Sequence, residues 1–458
     1  MVTQVAPPGP SSPLGFRVRT ALKKNFLNTL AEFRDHYGDV VSFFSDGELR
    51  YHFFSPDDVN QLLVNHHDAL ERQEGATAIF QTQGPNVATA EGASWKRQRR
   101  ILLPAFSSKK MSDYLGLMRD ATEESILNTL LNPKTVNQPV NVKEFASRIT
   151  LDVILRILFS YRASNDEQRA LIEAVHHLSR QSLLESLLAQ GFLQGFPFPG
   201  KMRRSAMNRT LDALIAGQIE SHRQEGQTNS DILSTLLAAR DEEAPAASGE
   251  QHLTRQETHD NCRLIFFTGH DPAASILTWL IGLLCKHPQY AIRIRQELQD
   301  VVGDREIQYS DLMKLTLLLA TIKETMRLYP AAVAVMPRRV IHDFSFNGWD
   351  IKKGTLLNLP IWLIHHDARW FPEPEVFMPE RFLPDAPKPV KGTYAPFGGG
   401  PRICLGQQFA TSELTLIAAT LLRRFDFIVA KDFVLPEATM ALSFEPAAPM
   451  HVRFSPRT

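Results

Sequence analysis

Apolar residues along most of this chain recur at helical spacing. From Pro104 to about Arg240 they fall three and four apart, the pattern of amphipathic helices. Two breaks interrupt the run: Gly191 to Gly200, rich in Phe, Pro and Gly, and Gln224 to Asn229. Asp241 to Gly249, acidic and then rich in Ala, Pro and Ser, predicts a mobile surface loop. Thr254-Arg255-Gln256-Glu257 is a capping box, in which two side chains reciprocally satisfy the first backbone N–H groups of a helix. The apolar stretch that follows reaches Cys285 before His287-Pro288 stops it. A helix of about 30 residues spans about 45 Å, enough to cross the whole molecule. Another helix ends at Leu328-Tyr329-Pro330, and a last one starts just after Cys404 and reaches about Arg423.

Strand signals are short and scattered. Tyr37 to Phe54 alternates like a hairpin turned at Asp46-Gly47, and Asn347-Gly348 turns a second one. The expected fold class is mainly α with small peripheral β-sheets. Nothing repeats internally, and no shift in composition forces a boundary, so residues 1–458 are expected to form a single domain. The Pro/Gly/Ser-rich residues 1–15 predict a flexible N-terminal segment.

Composition narrows the function. Fifty Lys and Arg balance fifty Asp and Glu, so no basic excess points to nucleic acid. Three cysteines, Cys262, Cys285 and Cys404, are too few for a disulfide framework, and none sits in a CxxC motif. That usage fits a reducing interior. No apolar run reads as long enough to cross a bilayer and no signal-peptide core is found, so the expected location is cytoplasmic, without a transmembrane anchor.

The strongest chemical signal is Phe397-Gly398-Gly399-Gly400-Pro401-Arg402-Ile403-Cys404-Leu405-Gly406. Three glycines make a tight loop whose amides can approach a sulfur and donate hydrogen bonds to it. The helix that follows turns its positive N-terminal end toward the same sulfur and favours thiolate over thiol. Arg402 offers a charged fork for an anionic group, and Gly406 leaves room for a flat ligand against the helix. A glycine loop around a buried cysteine is common by itself. The complete pattern Phe-x-x-Gly-x-Arg-x-Cys-x-Gly, however, resembles the haem-binding loop of cytochromes P-450.

The resemblance extends over nearly the whole chain. It implies that Cys404 ligates the iron of haem b (iron protoporphyrin IX), held between the long central helix and the helix after Cys404. Phe397 then shields the sulfur, and Arg402 pairs with a haem propionate. A thiolate ligand pushes electron density onto iron and favours O–O cleavage. Glu324-Thr325-Met326-Arg327 is similar to the family's ExxR helix, and Pro379-Glu380-Arg381-Phe382 to its PERF segment. Glu324, Arg327 and Arg381 are thereby expected to form a structural ion network behind the haem. Trp95-Lys96-Arg97-Gln98-Arg99 resembles the WxxxR helix, whose Trp95 and Arg99 share a face and reach the other propionate. Arg338 matches the strand arginine that completes that shell.

One segment departs from the family. The central helix normally reads Ala/Gly-Gly-x-Asp/Glu-Thr, where acid and threonine hydroxyl guide protons to activated oxygen. Here Thr268-Gly269-His270-Asp271 is followed by Pro272, which has neither hydroxyl nor N–H and clashes with the Thr268 carbonyl. A larger local kink is expected. Asp271 and Thr268 are the candidate catalytic residues, with water or a substrate hydroxyl completing the relay. Peroxide use, or a coupling or rearrangement reaction, is the alternative, and a non-catalytic haem sensor is the third class.

By the same resemblance the substrate pocket is built from Gly75 to Val87, the Phe266–Ala273 face, Ala331 to Met336 and Met440 to Phe444. Phe80, Val87, Phe267, Ala331, Val335 and Leu442 are the residues named for it. Their apolar character implies a lipophilic small molecule. The Phe/Pro segment from Gly191, followed by Lys201, Arg203 and Arg204, is open to three readings: a helix connection, an access lid or a membrane contact. Electrons are expected from a separate ferredoxin, or a flavodoxin or flavoprotein reductase. Lys96, Arg97, Arg100, Lys109 and Lys110 are the candidate docking patch, and the chain is expected to be a monomer.

Overall fold

The computed structural model describes residues 6–11, 16–45, 47–73, 84–133, 135–188, 201–224, 230–244, 251–441 and 443–457. Helices α1 (Phe16–Lys24) and α2 (Phe26–Tyr37) lead into β1 (Val40–Ser45) and β2 (Glu48–Phe53). These strands form the antiparallel hairpin expected there, with Gly47 at φ 80° in its turn. Residues 6–11, part of the segment expected to be flexible, lie along β1, where Ser42 donates to the Pro7 and Pro8 carbonyls.

Next come α3 (Pro56–Val64), β3 (Leu70–Arg72), α4 (Gly92–Leu102), α5 (Ser108–Thr129), β4 (Pro139–Asn141) and α6 (Val142–Phe159). Then follow α7 (Asn165–Leu188), α8 (Lys201–Gln224) and α9 (Ile232–Ala238), the helical run that the apolar spacing predicts. The breaks at Gly191 to Gly200 and Gln224 to Asn229 lie almost wholly outside the described residues. Of the expected surface loop, Asp241 is buried and bonded to Arg100, so the loop begins at an anchor.

The centre is α10 (Arg255–Lys286), 32 residues long. Its capping box is formed: Glu257 N donates to Thr254 Oγ1 at 3.1 Å, and Thr254 N donates to Glu257 Oε2 at 2.9 Å. The helix runs unbroken through Pro272. By length and composition α10 could cross a membrane, which corrects the sequence reading that no run was long enough. Yet 83% of its apolar window is buried inside the protein, so its hydrophobicity serves the core.

α11 (Pro288–Val301), α12 (Tyr309–Leu312) and α13 (Thr316–Leu328) precede β5 (Val335–Val340), β6 (Phe344–Phe346), β7 (Trp349–Ile351) and β8 (Leu356–Leu359). β6 and β7 pair around Asn347 and Gly348, both at positive φ, as the Asn-Gly turn predicts. The chain closes with α14 (Ile361–His365), α15 (Gln407–Arg424), β9 (Phe425–Ile428), β10 (Ala438–Met440), β11 (Phe444–Pro446) and β12 (His451–Pro456). One sheet has the order β1-β2-β8-β5-β3, another β4-β12-β9, and β10-β11 is a separate hairpin. The main apolar core lies among α5, α6, α10, α13 and α15. A smaller core sits beneath the first sheet, against α3.

Candidate active site

Residues 397–406 form the tight loop that the glycines predict. Gly398 and Gly400 have φ of 74° and 67°, and a Cβ at Gly400 would overlap the Leu63 carbonyl oxygen. Only glycine fits there. Cys404 N donates to Phe397 O at 3.0 Å, which folds the loop back on itself. Cys404 is solvent-accessible although it lies deep in the protein, so burial pushes its thiol above the ordinary value. The Gly406 backbone N–H bonded to the sulfur, with the charges of Arg99 and Arg72, acts the other way and favours thiolate. A Cβ at Gly406 would meet nothing nearer than that sulfur, at 3.9 Å.

The central helix has one matching anomaly. Thr268 is exposed, whereas residues 261–267 before it and His270 and Asp271 after it are buried. An accessible side chain within a buried stretch of helix borders open space rather than packed side chains. Its hydroxyl donates to Leu264 O at 2.8 Å and keeps its lone pairs available. Asp271 points elsewhere: Ser443 Oγ donates to its Oδ2 at 2.7 Å, and both residues are buried. His270 is paired through Nδ1 with Thr150 Oγ1, and Gly269 packs so closely on Ile154 that a Cβ would sit 2.7 Å from its Cδ1.

Around the cysteine loop gather four arginines, Arg72, Arg99, Arg338 and Arg402, with Glu91 and Glu71 as the carboxylates nearest Arg402. The Arg402 guanidinium lies 4.2 Å from the Trp95 ring centroid and pairs with Glu91. Arg99 Nη2 donates to Ile403 O at 3.0 Å. Arg338, on β5, donates to Met336 O at 2.7 Å. Arg72, on β3, donates to Ala88 O, and its buried Nε has no partner among the described residues. Burial first, and then the neighbouring Arg338 and Arg402, push Arg72 down to about 9. Burial and Arg402 push Arg338 to about 10. Burial raises Glu91 despite its two cationic neighbours. A site with this surplus of buried positive charge and an unmet donor fits a ligand carrying carboxylates.

Behind the loop, Arg327 and Glu324 are both fully buried and joined by two hydrogen bonds of 2.8 Å. Arg381 Nε approaches Glu324 Oε1 at 3.4 Å and Nη2 donates to Glu373 O at 2.9 Å. The three residues named from the sequence thus meet.

Other candidates are more dispersed. Phe80 and Leu442 lie outside the described residues. Val87 is buried, its N–H bonded to Asn261 Oδ1 at 3.0 Å. Phe267 is buried beside Phe266 and Arg263. Ala331 and Val335 are half-buried, at the edge of the main core and at the start of β5. Phe397 is half-buried against the main core. The expected docking patch is reduced: Arg97 is paired with Glu257, and Arg100 with Asp241 and Glu243. Lys96 and Lys109 remain exposed and Lys110 half-exposed. Sequence reasoning missed Arg72 and Glu91, which no motif marks; Ser443 lies within the expected pocket segment Met440 to Phe444, but its bond to Asp271 was not foreseen.

Comparison with known proteins agrees with this geometry. The family model for cytochrome P-450 matches residues 6–451. The chain is 30% identical over 424 residues to a putative cytochrome P-450 132 of Mycobacterium bovis, covering 88% of each protein. It is 30% identical over 363 residues to cytochrome P-450 4A7 of Oryctolagus cuniculus, covering 75% of this chain and 70% of that one. With a probable cytochrome P-450 4s3 of Drosophila melanogaster it shares 28% over 448 residues, 93% of this chain and 87% of the relative. The chain belongs to the cytochrome P-450 family. It is a haem-thiolate monooxygenase, an oxidoreductase that binds iron through its haem.

Proposed function

We propose that this enzyme hydroxylates or epoxidises a lipophilic small molecule with O2, taking electrons from a separate ferredoxin, or a flavodoxin or flavoprotein reductase. The observation that carries the reading is the accessible Cys404 sulfur deep in the fold, bonded to the Gly406 N–H and flanked by surplus buried arginines. Haem supplies the oxygen activation when bound, with Cys404 as its ligand. The absence of any CxxC motif supports haem b, held without covalent attachment to the chain. Arg72, Arg99, Arg338 and Arg402 are the groups available to hold the propionates, with Trp95 stacked beneath Arg402. Phe397 and Leu405, packed on the main core within the cysteine loop, are the apolar groups available to limit water near the sulfur.

On the opposite side, Thr268 takes over the hydroxyl that Pro272 has displaced. The two positions are four apart on one helix face, and the missing Pro272 N–H leaves the Thr268 carbonyl without its intrahelical donor. Thr268 therefore offers both a hydroxyl and a carbonyl to ordered water, and the Asp271 carboxylate relays protons by taking one up and passing it on through that water. Val87, Ala331 and Val335 support an apolar substrate. Lys96, Lys109 and Lys110 support docking of an acidic redox partner.

The reduced, CO-bound protein is expected to absorb near 450 nm, as a thiolate-ligated haem does. Product is then compared with NAD(P)H plus redox proteins and with peroxide alone. Robust turnover with peroxide alone overturns the O2-and-reductant reading in favour of the peroxide-using alternative that Pro272 suggests.

A further inference from the structure

We propose that Ser443, on the turn between β10 and β11, is a positioning residue that clasps the Asp271 carboxylate and so ties the acid of the central helix to the C-terminal hairpin. The proposal rests on the monooxygenase reading above and gives a specific role to a residue that the sequence placed only within the pocket segment Met440 to Phe444.

Asp271, Ser275 and Trp279 are spaced by four and lie on one face of α10. Between them they bind two adjacent residues, Ser443 and Phe444. Ser443 Oγ donates to Asp271 Oδ2 at 2.7 Å, and Ser275 Oγ and Trp279 Nε1 each donate to Phe444 O at 2.8 Å. All five residues are buried. Phe444 N donates onward to Ala331 O at 3.0 Å, the start of the segment assigned to the substrate pocket. The tip of the hairpin is thereby the shared anchor of the central helix and the pocket wall.

The chemistry of the clasp is specific. An ionised carboxylate only accepts hydrogen bonds, and a hydroxyl has one proton to give. At 2.7 Å the contact is a well-formed O–H···O hydrogen bond between two buried side chains. Pro272, next in the chain, contributes neither hydroxyl nor N–H to Asp271, so a hydroxyl arrives from 172 positions away. A substrate that presses on the hairpin tip shifts Ser443, and with it the donor that holds Asp271. Proton handling and pocket occupancy then change together.

The test uses the haem-loaded full chain and two readouts. The first is hydrogen exchange of the Phe444 amide, measured without substrate or reductant, so it reports on the clasp whether or not monooxygenation occurs. Ser443→Ala and Asp271→Ala are each expected to speed exchange by about tenfold, the loss of one buried hydrogen bond. The double variant is expected to exchange no faster than the faster single variant, and Ser443→Thr to stay near wild type. The second readout is the share of reducing equivalents that ends as peroxide, expected to rise several-fold in Ser443→Ala and to return in Ser443→Thr. Unchanged exchange in Asp271→Ala, additive effects in the double variant, or unchanged coupling in Ser443→Ala overturns the proposal. A missing 450 nm band in the wild type overturns the haem-thiolate reading instead, and the exchange result still stands.

Discussion

Replacing Glu324 by Gln removes one negative charge and almost no volume, at a site that leaves no room for compensation. Arg327 is fully buried and spends its donors on Glu324, His365 O, Pro374 O and Val376 O, with its guanidinium 5.2 Å from the Phe371 ring. Glu324 also accepts from Met378 N at 2.9 Å and faces Arg381 at 3.4 Å. In Glu324→Gln two guanidinium groups face an amide, one of them wholly buried. Removing one partner of a buried ion pair costs about 3–5 kcal/mol, because the other charge stays out of water unpaired. Whole domains are stable by only about 5–15 kcal/mol. The loss corresponds to roughly a 100- to 4,000-fold shift in the folding equilibrium. The expected result is a lower urea midpoint and reduced haem per chain, read by absorbance of the denatured pigment. Arg381→Ala should cost less, since its ion pair with Glu324 is longer, at 3.4 Å, and Glu324 keeps Arg327 and Met378 N as partners. A Glu324→Gln protein with wild-type midpoint and haem content would refute the reasoning.

Three further outcomes are expected. Arg72→Ala should speed haem transfer to a scavenging apoglobin by about tenfold, since one charge-assisted bond is lost; equal rates would remove Arg72 from the propionate shell. Burial raises Asp58 to about 6, against the opposing hydrogen bond from Asn347. The folded state then holds more protons than the unfolded state between about pH 4 and 6. Stability should fall as pH rises through that window, and Asp58→Asn should flatten this part of the urea-midpoint profile. In native protein prepared without haem, a thiol reagent should label Cys404 first, as mass spectrometry of digests can show. Burial pushes the Cys262 thiol up and Cys285 to about 12, so both should react only on unfolding.

Much of this architecture is written in local pattern. The capping box at Thr254 and the stop at His287-Pro288 bracket α10 to within a residue or two. Asn347-Gly348 and the stretch around Gly47 turn where hairpin chemistry says they should. The cysteine loop is equally legible, because glycines at positive φ and a helix start are properties of neighbouring residues. Pairings across the chain are not. Arg97 and Arg100 read as a basic patch, yet carboxylates more than 140 positions away neutralise them. Arg72 carries no motif, and its importance arises only when β3 pairs with β5 and brings it beside Arg338.

The same division runs through the two sides of the site. Local sequence was enough for the thiolate loop, the ExxR pair, the two ends of the long central helix and the replacement of a hydroxyl by Pro272, since each is encoded within a few consecutive residues. Packing across the chain set what surrounds Pro272. It left Thr268 accessible in a buried helix and turned Asp271 toward Ser443. The physical reason is that burial and hydrogen-bond partners belong to packing: a side chain's spacing along a helix states its face, and the elements folded against that face decide what it meets.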